Sequence, residues 1–382
     1  MERDTRITHA GRRPRDYKGA VNPPVYRVST VTFEHIEDFE NRRGEMIYGR
    51  FGTPTTRAVA EAVSDLEGAA ESVLCSSGLN AISTAMLAFA KPGGHLLVSD
   101  SAYWPVRKLC DGLLARLGVE TEYFDPHIEA DGLTRLIRPE TFLVWLESPG
   151  SLTFEIMDTP ALAAAARAKG VPTAFDNTWG ASHFFRPLEH GVDISVLAAT
   201  KYHVGHSDAM MGIVCCNEAT REAVRQTAIQ LGVTAGAEEA YLTHRGLRTL
   251  SVRLERHQKN GIAVARWLEG RPEVARVIHP ALESHPDHAL WKRDFDGACG
   301  LFGVVVKVAS KEKLVAMIDG LELFGVGASW GGYESLALTA YPEKIRTATR
   351  WEDEGFLIRL HVGLEDPKDL IADLEAGLAR LA

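Results

Sequence analysis

No uninterrupted apolar run in this chain approaches the roughly 18 residues that a membrane span needs. The first residues, MERDTRITHAGRRPRDY, hold no hydrophobic core of an export signal, and Glu2, Asp4 and Asp16 interrupt what would otherwise resemble an Arg-rich import segment. Cysteine is scarce: five thiols (Cys75, Cys110, Cys215, Cys216, Cys299), an odd number without CxxC spacing, read as reduced side chains in a cytoplasmic protein. Excess positive charge is also missing. Forty-two Lys and Arg stand against fifty-one Asp and Glu, a net charge of −9, which makes a polyphosphate backbone a poor partner.

What is present is an ordinary globular balance, 45% hydrophobic and 24% charged over 382 residues, enough for roughly two or three domains. Residues 1–53 are rich in Arg, Pro and polar groups with little periodicity and are expected to form an extended arm. Order is expected to begin at Thr53-Pro54, a cap followed by a first-turn proline, with Val59, Val63 and Leu66 on one helical face before Gly68. Short apolar runs then alternate with helical stretches: strands at 72–75, 95–99, 119–123, 141–147, 171–176, 193–198 and 211–216, with helices such as 80–91 and 159–169. Such alternation predicts an α/β unit over 54–244, with a largely parallel sheet covered by helices on both faces. From 245 to 382 the rhythm changes. A long helix near 243–268 leads to strands at 274–278, 301–308, 321–326 and 356–362 and a closing helix at 366–381, a smaller α/β domain.

Ligands of an open parallel sheet sit beyond the carboxyl ends of its strands, and four such ends carry polar residues. Ser76-Ser77-Gly78-Leu79-Asn80 is a small turn opening a helix, suited to an anion such as phosphate and unlike a GxGxxG or GKS/GKT loop. Asp176 ends an apolar strand, where a carboxylate either caps the next turn or pairs with a cationic ring nitrogen or a metal. Lys201 follows the DISVLA strand; a lysine there either reaches solvent or has a lowered pKa and serves as a nucleophile toward a carbonyl. Tyr103, after the strand at 95–99, either packs or stacks on a flat ring. A phosphate site, a stacking face, a carboxylate for a ring nitrogen and a lysine for an aldehyde together describe pyridoxal 5′-phosphate. Arg359, mid-strand in FLIRLHVGL, faces away from Phe356, Ile358, Leu360 and Val362, and wants either an internal ion pair or a substrate carboxylate. His203-x-x-His206 and His285-x-x-His288 have no clear third ligand, so no metal is expected.

The segments ATKYHVGHSD (199–208), SSGLNA (76–81), YGRFGTPT (48–55) and SWGGYESL (329–336) resemble the Cys/Met-metabolism family of PLP enzymes, the likeness running from about residue 5 to 381. The resemblance implies the type I PLP-dependent transferase fold, with a mostly parallel seven-stranded sheet and a smaller C-terminal domain, assembled as a homotetramer of two active dimers. It implies Lys201 as the lysine bonded to the cofactor's aldehyde, Asp176 as partner of the ring nitrogen and Tyr103 as the stacking residue. Gly78, Leu79 and Thr200 become phosphate contacts, joined by Tyr48 and Arg50 reaching into the neighbouring subunit. Arg359 becomes the substrate-carboxylate arginine, beside Ser329 and Trp330, and Lys201, Tyr103 and Tyr48 the proton-handling groups. Ala198 stands where many members have Ser, and Ala328 where relatives often carry a larger polar group. SWGGYES and WKRDFDGACGLFG (291–303) point within the family to β-elimination of cystathionine to homocysteine, pyruvate and ammonia. ALTAYPEKIRTAT after them lacks the Pro-x-x-Met-Thr-His run of the γ-acting members. A γ-elimination or γ-replacement, cysteine desulfhydration, or a PLP-binding regulatory role stay open as alternatives.

Overall fold

Between Glu71 and Cys216, seven runs of mostly apolar, β-branched residues form one sheet; the computed structural model describes residues 1–353 and 355–381. The strands are β1 (Glu71–Cys75), β2 (His95–Ser99), β3 (Glu120–Phe124), β4 (Thr141–Glu147), β5 (Thr173–Asp176), β6 (Ile194–Leu197) and β7 (Gly212–Cys216). Their spatial order is β1-β7-β6-β5-β4-β2-β3, with β7 alone running against the others. Strands β2, β4, β5, β6 and β7 are buried at every position, as expected of a sheet with helices on both faces. The strand ends anticipated from the apolar runs lie within two residues of those observed.

The helix Pro54–Glu67 starts at Thr53, whose hydroxyl accepts the Thr56 N–H while Thr56 returns the favour to the Thr53 N–H, and it stops at left-handed Gly68. The arm before it is not extended throughout. Arg3–His9 is helical and buries Ile7 against Val59, Ala62, Val63 and Leu66, with Arg6 paired to Asp65 at 3.0 Å. One apolar residue in seven gives no periodicity to read, which is why the sequence pattern misses this helix.

The C-terminal sheet, antiparallel throughout, has the order β10-β11-β9-β8, formed by β8 (Val274–Ile278), β9 (Leu301–Val306), β10 (Leu336–Ala340) and β11 (Phe356–His361). The expected strand at 321–326 is absent, and β10 takes the edge instead. The N–H groups of Glu322, Leu323 and Phe324 are donated to the Asp373 carboxylate at 2.8–3.3 Å, leaving a single bridge, Gly325 to Leu336. The expected long helix is two, Ala237–Leu247 and Leu250–Glu269, so the anticipated boundary at 244/245 falls inside the first. Arg253 ties both to the lysine loop by donating to the Tyr202 and Gly246 carbonyls, each at 2.7 Å.

Candidate active site

Alternation along β11 decides where its arginine goes. Ile358 and Leu360 pack into the core of the C-terminal unit, whereas Leu357, with Leu301 and Val305 of β9, joins the core of the large unit. Arg359 shares the second face and so points at the large sheet. Its Nη2 donates to the carbonyls of Gly327 (3.4 Å), Ala328 (3.2 Å) and Ser329 (3.0 Å). Its buried Nε has no partner, and among the described residues no carboxylate lies within ion-pair distance. The internal ion pair that sequence reasoning left open is not formed among the described residues.

Lys201 sits on the turn after β6, closed by Lys201 N–H to the Ala198 carbonyl (3.0 Å) and anchored to the start of β7 by Thr200 N–H to the Met211 carbonyl (3.1 Å). Its Nζ donates to Ser329 Oγ at 2.7 Å and lies 5.4 Å from the Trp330 ring. Burial first, then the neighbouring Arg359 charge, push the ammonium down to about 8, while Asp176 pulls the other way. Gly331 lets the SWGG turn pass over the lysine: its φ is +86°, and a Cβ would lie 2.9 Å from the Lys201 backbone carbon.

Asp176 ends β5 and accepts the Thr178 N–H (3.0 Å) and hydroxyl (2.6 Å). Burial raises its carboxyl, opposed by those bonds and by Lys201. Thr178 is a residue the sequence reading passed over, and it also accepts the Ala198 N–H at 2.9 Å, tying the ends of β5 and β6 together. Tyr103, with its side chain in the field of Asp176 and Arg359, precedes the helix Trp104–Lys108 and is 46% exposed, so one face remains open to a ligand.

The helix Gly78–Leu87 begins beside the lysine turn, with Ser77 accepting the Asn80 N–H at 3.1 Å. Among the described residues, the N–H groups of Gly78 and Leu79, at the first turn of this helix, have no acceptor. A Cβ on Gly78 would lie 2.6 Å from that of Ala198, so only glycine brings this helix start so close to β6. Thr200, expected as a phosphate contact, has a hydroxyl that donates to the Met211 carbonyl (3.2 Å) and accepts the Met211 N–H (3.0 Å). Tyr48 and Arg50 are not brought to Lys201 within one chain. Arg50 donates to the Ile229 carbonyl (3.3 Å) and lies over the Phe51 ring, and both residues line a cleft with Thr234–Glu239.

His203 is buried against Ser182 Oγ (3.0 Å) and His206 meets the Val204 carbonyl (2.7 Å), so the pair serves separate structural contacts. A second unnoticed residue is Glu147, which ends β4 and accepts the Tyr103 N–H at 2.7 Å. The signal was available: a carboxylate closing an otherwise apolar buried strand is the feature that singled out Asp176.

Among the described residues, two acceptor-free N–H groups at a helix start, an amine of lowered basicity, a buried carboxylate beside it and a cation lacking a counter-ion fit one kind of guest, and the class so defined is that of pyridoxal-phosphate enzymes. A family model described as Cys/Met metabolism PLP-dependent enzyme matches residues 4–379, and the chain belongs to that family. It is 48% identical over 380 residues to a putative cystathionine beta-lyase of Rhizobium johnstonii, covering 98% of this chain and 96% of that one. It is 46% identical to the cystathionine beta-lyase MetC of Escherichia coli, covering 99% and 98%. The crystal structure of metB from Corynebacterium glutamicum superposes with a TM-score of 0.91 at 31% identity, covering 99% of this chain and 98% of that one.

Proposed function

We propose that this chain is a carbon–sulfur lyase that cleaves L-cystathionine by β-elimination to homocysteine, pyruvate and ammonia. The observation that carries the reading is Arg359: a half-buried guanidinium with no carboxylate partner among the described residues, on the strand face that looks across at Lys201. The names of the two cystathionine β-lyase relatives support the choice of substrate.

The residues that would hold the cofactor are Lys201, Asp176, Tyr103, Gly78, Leu79 and Thr200, with Tyr48 and Arg50 supplied by a second copy. The chemistry that pyridoxal phosphate supplies when bound is an aldehyde for an amine and a protonated ring that accommodates negative charge at Cα. Arg359 grips the substrate α-carboxylate through two parallel N–H bonds and orients the Cα–H bond. Lys201, whose amine loses its proton near pH 8, then takes the Cα proton as general base. Ser329 holds the lysine nitrogen in place, and Trp330 closes the same side of the cleft. Tyr103 and Tyr48 assist proton movement: the Cβ–S bond breaks, its electron pair leaving on sulfur, which takes a proton to become the homocysteine thiol, and the released unsaturated amine is hydrolysed by water to pyruvate and ammonia.

A homotetramer of active dimers is inferred from the arm, which leaves Tyr48 and Phe51 exposed far from the lysine their motif is meant to serve. A cytoplasmic location is inferred from five buried, unpaired thiols and fits the lack, among the described residues, of any helix long and apolar enough to cross a membrane. The test is the keto acid formed from cystathionine: pyruvate is expected, and 2-oxobutyrate would replace the β- by a γ-elimination.

A further inference from the structure

Asp176 does not lie alone. Glu147 closes β4 as Asp176 closes β5, and the two are register partners on adjacent parallel strands, so both carboxyls leave the sheet on one side. Both are equally buried. Their compensation is unequal. Asp176 receives two hydrogen bonds from Thr178 and faces the Lys201 ammonium. Glu147 receives one, from the Tyr103 N–H at 2.7 Å. The charged and titratable groups facing it are Asp176 on β5, Tyr103 before the helix Trp104–Lys108, Arg346 from the segment after β10, and Glu155 from the loop after β4. Arg346, the one cation among them, is already taken by Glu155 at 3.0 Å and by Thr153. Two buried carboxyls side by side with charge compensation for one cannot both ionise cheaply. Burial, then the Asp176 charge, drive the Glu147 carboxyl well above the usual range.

The Tyr103 end of the contact is equally specific. The helix after Tyr103 is only five residues long and has no side-chain cap, and the tyrosine ring is half exposed. The bond to Glu147 ties Tyr103 itself to the end of β4, while Asp100 N–H to the Phe124 carbonyl (2.8 Å) and Ala102 N–H to the Ser99 carbonyl (3.0 Å) hold the residues before it.

We propose that Glu147 is a positioning residue that works as a neutral acid: one oxygen accepts the Tyr103 N–H and fixes the tyrosine that would stack on the cofactor, and the retained proton leaves Asp176 as the negative charge available to the cofactor's ring nitrogen. The inference rests on the PLP reading of the site but not on the identity of the sulfur substrate.

The test compares holoenzyme with Glu147→Gln and Glu147→Ala, following the visible band of the bound cofactor against pH together with kcat and KM. Gln keeps a neutral acceptor oxygen, so the midpoint of the band should stay within about 0.3 pH unit and kcat/KM within about 3-fold. Ala removes the acceptor, and kcat/KM should fall by roughly 10- to 100-fold, with thermal unfolding confirming a folded protein. A shift of about one unit or more in the Gln variant would show that a negative charge had been removed and overturn the neutral acid. An Ala variant with unchanged kcat/KM would overturn the positioning role. Because the band is read without substrate, a parent protein that shows it but forms no pyruvate would sink the lyase reading, while the band midpoint of the Gln variant would still decide the neutral acid.

Discussion

The two walls of the cleft handle buried charge in opposite ways. On the large-sheet wall, Asp176 is satisfied from within by two donors of Thr178, and Thr178 in turn holds the Ala198 N–H, so the lysine turn and the aspartate form one braced unit. On the C-terminal wall, among the described residues, Arg359 is steadied by backbone carbonyls alone, with Nε unpartnered and no acid within ion-pair distance. A braced anion suits a group that stays, and an uncompensated cation suits a group that comes and goes. On the proposed reading, this division separates the cofactor side of the cleft from the substrate side.

Substitutions can sharpen the contrast. The largest effect is expected at Arg359→Lys, where a point charge replaces a planar fork: KM should rise about 10- to 100-fold, corresponding to roughly 1.5–3 kcal/mol for a charged hydrogen bond, with cofactor affinity unchanged. A comparable loss of cofactor binding would erase the distinction between the walls. Next comes Thr178→Val, which deprives Asp176 of a donor and leaves the Ala198 N–H unpaired. It should cost about 1–3 kcal/mol in denaturant unfolding, and Thr178→Ser should recover most of it.

Legibility followed the same line. The large sheet was readable because buried parallel strands are continuous apolar runs, and Asp176, Lys201 and Gly78 could be picked out where those runs end. The C-terminal unit was less readable because its edge is decided by a distant side chain. Asp373 captures three N–H groups of 322–324, so LELFGV looks like a strand and is not one, while LALTA, between Glu334-Ser335 and Tyr341-Pro342, is. Thr178 carries no pattern of its own, since a threonine two residues past a strand is common. Tyr48 and Arg50 were identifiable only by resemblance, because their neighbours within one chain, Ile229 and Phe51, do not touch the lysine turn.

The smallest expected effect concerns a contact between the two units away from the cleft, His127 Nε2 to Asp287 Oδ2 at 3.0 Å. The hydrogen bond to Asp287, against burial, raises the His127 imidazolium; burial opposes, and the bonds from His127 and the Ile156 N–H outweigh, so that Asp287 is lowered. A raised histidine contributes fully below its unfolded value near ~6.5 and loses that contribution as pH climbs through the folded one, while the lowered carboxylate contributes above ~3.9. With His127 half exposed, His127→Gln should cost under about 1 kcal/mol at pH ~5.5 and close to nothing at pH ~8.5. An equal loss at both values would assign the contact to packing.

The most direct measurement is borohydride reduction of the holoprotein followed by peptide mass mapping. A phosphopyridoxyl mass on the peptide containing Lys201, and its disappearance with the visible band in Lys201→Ala, is the expected result. The same mass on a different lysine, or none, would contradict the account at its root.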